Sequence, residues 1–517
     1  MIRTILTENY ITRNKKIGEK SYMRIVEIKR YAVLFLFLIV ISIYYALTIP
    51  SNSIWNDQTL AVNLAKDVLN GNYPLVGYLH SNRMHSFPAF YYLIAPLVYI
   101  SDNPILLYWS VAVMNILGVM IVTKYIYSKY GFQEYVIYLL FSATHVSTLF
   151  FSSFFWNPNY TPFFMSIFII SLLKYINNKT SIIFFHIAGI VINIMVQMMP
   201  QTIVLIPAFI FILFLFKKMP SLINQVVHMV IQLALVYPWI HYHLFVFEWD
   251  GFESGQKLYK GFSSSIIEYL NYLGGWVLNS EYTTYLAYGT NTYPYTKLID
   301  IILTGSSILL LSLLVYSTWV SFRGIKISNY ININIIDNDV NELTTQNILI
   351  VLAVINFSCI LFFITGMQMV SYHYQFLAPV LALNMSLLIS YEKKFKKLLA
   401  SVLMLIILLQ GAFSYWRAYS EYKKPYATDI GYSEQFTNYI TNNCNADSAA
   451  YILDPRGLHF FQSSKGDYDK KSCGKLILVL RDHYAQSKIV RWLLEKNYAK
   501  TDMKFKDYLI WSTNKEL

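Results

Sequence analysis

Charge is scarce in this sequence. Asp, Glu, Lys and Arg together make up 14% of its 517 residues, where soluble domains carry about a quarter. That deficit excludes a soluble protein. Acids are the scarcer sign, 29 against 41 Lys and Arg. The surplus of +12 does not by itself point to nucleic acid, because the bases cluster between hydrophobic runs, which is how membrane topology is set. Ionisable groups are almost missing from the runs themselves. His145, His186 and His228 are the titratable side chains near the middle of a run, beside the neutral Asn193, Asn224, Gln232 and Asn356. An ion-coupled transporter needs ionisable groups at membrane depth, and a lone histidine in a span more often bonds a neighbouring helix than relays protons. Also missing are any internal repeat, any low-complexity tract, and a small-residue cleavage site after the first run. That run therefore reads as a retained signal anchor.

What is present is apolar length. Hydrophobic residues make up 56% of the chain, the mean hydropathy is +0.41, and 44 Tyr and 34 Phe supply the aromatics that gather at membrane interfaces. The expected fold class is an α-helical polytopic membrane protein. Eleven runs are long enough to be read as spans: 31–49, 105–123, 134–154, 162–176, 181–199, 201–216, 221–241, 298–320, 347–366, 375–390 and 398–416. Residues 1–30 hold eight bases and three acids and are expected in the cytoplasm. With that start, the loops holding Lys124 and Lys129, Lys179, Lys217 and Lys218, Arg323 and Lys326, and Lys393 to Lys397 all fall inside. The run 87–100 is too short to span and reads as an interfacial helix on the outer surface. Residues 57–70 read the same way, with Leu60, Ala61, Leu64, Val68 and Leu69 as the apolar stripe.

The expected domains are thus the tail 1–30, a transmembrane part 31–416 with outer loops 50–104 and 242–297, and a soluble extracytoplasmic unit 417–517. The last reads as α/β. Residues 449–453, 475–480 and 507–511 look like strands, and 433–440 and 487–497 like helices. Cys444 and Cys473 both fall in this unit, which suggests a disulfide in an oxidising compartment.

The carboxylates lie in the outer loops, so chemistry is expected at the outer membrane surface. Asp57, in "WNDQ", sits just past the first span, where an amphipathic helix begins. An N-cap role accounts for its position as well as a chemical one does. Arg83 is the only arginine between Arg30 and Arg323 and stands between His80 and His85. It can face a phosphate or snorkel to headgroups. Lys257, Lys260 and His373 are further phosphate candidates. His85 belongs to the same outer stretch as Arg83. Trp156 and Asn157 can line a sugar pocket, since Trp stacks on sugar faces and Asn bonds hydroxyls; an interfacial Trp with a Pro turn explains them equally. A divalent metal held by Asp57, His80 and His85 stays open, because that spacing is no recognised ligand set.

Four stretches in this order resemble the C-type glycosyltransferase superfamily, in the branch of protein O-mannosyltransferases and lipid A aminoarabinose transferases. They are "WNDQ" at 55–58, "RMHSFPAFYYLIAPL" at 83–97, "FFWNPNYTPFF" at 154–164 and "YHYQFLAPVLAL" at 372–383. Gln58 stands where the family often has a second acid, and His373 where Arg is usual. The resemblance covers about residues 25–420. It implies a polyprenyl-phosphate sugar as donor and an acceptor hydroxyl on a lipid, glycan or protein. It implies inverting transfer on the outer face, with Asp57 as general base and Tyr374 beside His373 in the sugar or acceptor pocket. Two other readings stand beside it. An O-antigen-type polymerase would be expected to carry arginines in its large outer loop, and 242–297 has none. A flippase or transporter without chemistry would want charge inside the bundle.

Overall fold

The computed structural model describes residues 27–49, 56–77, 86–101, 104–177, 181–245, 269, 272–273, 296–323, 343–358 and 371–423, and strands between 449 and 512. The helices are α1 (Glu27–Thr48), α2 (Asn56–Leu69), α3 (Ala89–Ile100), α4 (Pro104–Lys129), α5 (Phe132–Ser142), α6 (Val146–Ser152), α7 (Thr161–Asn177), α8 (Ile182–Met198), α9 (Leu205–Leu215), α10 (Leu222–Phe245), α11 (Thr296–Phe322), α12 (Thr345–Ser358), α13 (Ala378–Tyr391) and α14 (Lys396–Lys423). Each expected run contains described helix. Among the described residues seven helices are long and apolar enough to cross a membrane, and eight if the bent pair α5–α6 counts as one span. The chain is a multi-pass membrane protein.

The expected count of eleven full spans is not confirmed among the described residues. The runs 181–199 and 201–216 give helices of 17 and 11 residues. At about 1.5 Å per residue these are short against a hydrocarbon core of about 30 Å. The run 134–154 is not one helix either. It breaks between α5 and α6 with a bend of 60°. His145 makes the break: its side chain accepts from Thr148 N and caps α6, and its Nε2 lies 3.1 Å from the carbonyl of Leu273. A side chain that satisfies the free amides of a new helix start lets a chain break inside lipid.

Hydrogen bonds gather the base-rich ends on one face. Arg30 donates to the carbonyls of Tyr127 and Tyr130 at 3.3 and 3.4 Å, and its guanidinium lies 4.1 Å over the Tyr127 ring. It thereby satisfies the last carbonyls of α4. Tyr175 OH donates to Lys218 O at 2.9 Å, Leu343 N to Asn177 Oδ1 at 2.9 Å, and Tyr316 OH to Glu392 at 3.1 Å. The loops expected inside are therefore neighbours in space.

At the other face α2 packs along α3, and α3 packs against α4 and α8. The expected helix 57–70 starts one residue earlier, at Asn56. By its backbone Asp57 is thus the second described residue of this helix. The outer loop 242–297 is not wholly free. Tyr269, Tyr272 and Leu273 are buried, with Tyr272 O accepting from Ser147 Oγ at 2.5 Å and Leu273 O from Gln410 Nε2 at 3.0 Å.

The C-terminal part holds a five-stranded sheet of β1 (Ala449–Asp454), β2 (Gly457–Ser463), β3 (Lys475–Leu480), β4 (Ala499–Phe505) and β5 (Tyr508–Ser512), in the order β2-β1-β3-β5-β4. Only β1 and β3 run parallel. The edge strand β2 lies beside α2. The helices expected at 433–440 and 487–497 lie outside the described residues, as do Cys444 and Cys473.

Candidate functional site

Three helices of the transmembrane part begin with a 3-10 turn: Asn157–Tyr160 before α7, Pro200–Val204 before α9, and Ser371–Leu377 before α13. The first two carry Pro in the opening positions, where its missing N–H costs nothing. Side-chain amides tie the three starts together. Gln375 Nε2 donates to Asn159 Oδ1 at 2.7 Å, and Asn159 Nδ2 to Phe154 O at 2.6 Å. Asn115 Nδ2 donates to Asn159 O and to Ser152 Oγ, both at 2.9 Å. Asn157 Nδ2 donates to Met198 O at 2.6 Å. Gln201 Nε2 lies 3.2 Å from His373 Nε2; as donor it leaves His373 a neutral acceptor at that nitrogen. Three helix N-termini thus converge, each bringing the positive end of a helix dipole.

Aromatic residues wall the patch. Phe90 of α3 packs on Phe155 and Tyr160 with ring centres 5.8 and 5.7 Å apart. Phe87 stacks on Trp239 at 4.6 Å, and Trp239 on His243 at 4.1 Å. Tyr374 is fully buried and packs against Tyr269 and Tyr272 at 5.0 and 6.2 Å.

The expected site residues fall into two groups. Trp156, Asn157, His373 and Tyr374 come together in this patch. There the Asn157 amide nitrogen holds Met198, and His373 is buried beside Gln201. Asp57 is placed by its backbone at the start of α2. Arg83, His85, Lys257 and Lys260 lie outside the described residues, as does His80. Among the described residues no group of three or more His, Cys, Asp or Glu is placed to hold a metal. Sequence reasoning missed Asn115, Asn159, Gln201 and Gln375. The available signal was a carboxamide embedded in an apolar run, as in "MVQMMPQT" and "YHYQFL".

The sequence matches no protein-family model and no curated protein. The architecture nevertheless has solved counterparts. In particular it is similar to ArnT from Cupriavidus metallidurans in the apo state. The TM-score is 0.53 at 10% identity, over 93% of this chain and 97% of that one. The same enzyme bound to undecaprenyl phosphate aligns with TM-score 0.53 at 8% identity, over 93% and 98% of the two chains.

Proposed function

We propose that this chain is a membrane glycosyltransferase that moves a monosaccharide from a polyprenyl-phosphate donor to an acceptor hydroxyl at the outer face of the cytoplasmic membrane. The observation that carries this is the likeness to ArnT across nearly the whole of both chains, including a form bound to undecaprenyl phosphate. The convergence of three helix starts supports it, because the leaving group is a phosphate and helix N-termini attract anions. The donor's isoprenoid tail needs lipid, which a site at the membrane edge provides.

In this reading Asp57 takes the proton of the acceptor hydroxyl. The chemistry needs one carboxylate and no enzyme nucleophile when the anomeric centre inverts. Arg83, Lys257, Lys260 and His373 are the candidates for the donor phosphate. His85, Trp156, Asn157 and Tyr374 are the candidates for the sugar or acceptor. A divalent metal is not required by this scheme. The N-terminus is cytoplasmic and the C-terminal sheet extracytoplasmic, beside α2 and so over the acid-bearing helix. The test is purified protein with radiolabelled polyprenyl-phosphate sugar. Release of free polyprenyl phosphate, dependent on Asp57, marks the transferase. Consumption of a lipid diphosphate glycan marks the polymerase, and passage of the intact lipid across a vesicle bilayer marks the flippase. Mass spectrometry of the lipids and glycans of a deletion strain then identifies the sugar and acceptor.

A further inference from the structure

The helix α10 is attached to the bundle in an unusual way. His243 is its only residue buried among the described ones. Val226, Val227, Val230 and Leu233 are exposed, with Leu222 and Ile223 at its start, as expected of a lipid-facing helix. Its main neighbour is α8, and apolar packing does not explain the pairing, since lipid tails are as apolar as leucine.

A polar ladder does. Gln197 Nε2 donates to Asn193 Oδ1 at 2.8 Å and to Leu235 O at 3.1 Å. Asn193 Nδ2 donates to Gln232 Oε1 at 2.7 Å. Gln232 Nε2 faces His228 Nε2 at 3.2 Å, and His228 Nδ1 faces His186 Nδ1 at 3.2 Å. One assignment satisfies every bond. Each amide donates toward the histidines, His228 accepts at Nε2 and donates from Nδ1, and His186 accepts. Gly189 completes the fit, because a Cβ there would overlap the His228 ring.

The Gln197 end of this arrangement reaches the candidate site. The ladder's last member, Gln197, is followed by Met198, whose carbonyl holds Asn157, and three residues later by Gln201, which meets His373. One turn beyond Leu235, α10 presents Trp239 to Phe87 at the head of α3. The helix therefore bridges lipid and patch, and a donor with its tail in lipid must come past such an element.

We propose that Gln197, Asn193 and Gln232, with the His186–His228 pair, are positioning residues. They set the placement of α10, and through Trp239 and Phe87 the wall against which the polyprenyl-phosphate donor binds. This rests on the transferase reading above. The amides are not a proton path, since a carboxamide does not readily give up and regain a proton, and the ladder contains three of them in series before His228.

The test has a physical arm and a kinetic arm. In the physical arm Phe87→Cys and Trp239→Cys are joined in membranes by a short bis-maleimide. This removes the aromatic stack, so only the ladder holds α10 in place. Cross-linking is expected with the ladder intact and is expected to fall about fivefold or more in Asn193→Leu/Gln232→Leu. Unchanged cross-linking overturns the proposal. In the kinetic arm Phe87 and Trp239 are native. Asn193→Leu/Gln232→Leu is expected to raise KM for the polyprenyl-phosphate sugar about tenfold while kcat stays within about threefold. The exchanged pair Asn193→Gln/Gln232→Asn, which keeps both amides, is expected to restore KM. A fall in kcat with KM unchanged, or no rescue by the exchanged pair, overturns the positioning role. A wild-type protein that releases no polyprenyl phosphate overturns the transferase reading and the donor half with it, while the cross-linking still reports on the helix.

Discussion

Asn159→Ala is the most direct probe of the patch. Asn159 has no solvent exposure and Gln375 has 1%. The side chain accepts from Gln375 Nε2 at 2.7 Å and donates to Phe154 O at 2.6 Å. Alanine removes both bonds and leaves a donor and an acceptor buried. Such orphaned groups cost about 1–3 kcal/mol each, while polar bonds between membrane helices average about 0.6 kcal/mol and reach about 1.7 kcal/mol. The second scale pulls the sum toward its lower half, about 2–4 kcal/mol. Gln375→Leu loses one bond only and should cost about half as much. The double variant should then show a coupling energy of about 1 kcal/mol, as expected for residues in contact. The assay is the fraction of monodisperse protein surviving heating in detergent. A shift of about 2–4 °C per kcal/mol holds for domains of 150–250 residues, and less for longer chains, so Asn159→Ala should lose roughly 5 °C. Single and double variants within about 1 °C of wild type would refute the reasoning, because the two amides would then not hold the helix starts together.

Asp57→Asn should lower turnover by roughly 100-fold or more, the scale of a lost general base, with thermal stability and donor binding close to wild type; unchanged turnover ends the catalytic assignment. Non-reducing mass mapping should find a peptide joining Cys444 to Cys473, and two freely alkylated thiols in native membranes rule the disulfide out. A reporter fused after Lys326 should read cytoplasmic and one after Lys424 external; the same side for both means the span count is wrong by an odd number.

Hydrophobic runs made the positions of the transmembrane helices legible, because a span is a one-dimensional property of composition. The runs 105–123 and 398–416 sit inside α4 and α14. The break at His145 was not legible. Its partner Leu273 lies 128 residues away, and nothing in "YVIYLLFSATHVSTLFF" announces that a distant loop carbonyl will meet the histidine there. In the sheet the same logic separates centre from edge. The expected strands 449–453, 475–480 and 507–511 became β1, β3 and β5, the three interior strands of the order. The two that escaped notice, β2 and β4, are the edges. β4 reads "AKTDMKF", with the lysines that edges carry against unwanted pairing, and so lacks the apolar alternation by which strands are found.

The patch was half legible for a related reason. "WNPNY" and "YHYQF" announce themselves by Pro and aromatic residues, but the amides that join them do not, since no local pattern says which carbonyl an Asn will reach. Their destinations nevertheless share a rule. Met198 O stands at the end of α8, Phe154 O just past α6, Asn159 O in a 3-10 turn, and Leu273 O in the inserted loop. The first three are backbone carbonyls at helix breaks, and in lipid such a group has no water to turn to. A polar side chain in an apolar run is therefore a marker of a nearby break, and breaks are where helix N-termini are free to meet a ligand. Asn115, Asn157 and Asn159 all mark breaks in this way, whereas Asn193 and Gln232 join two helices to each other. That difference in destination is why the first set belongs to the patch itself and the second to the helix placed beside it.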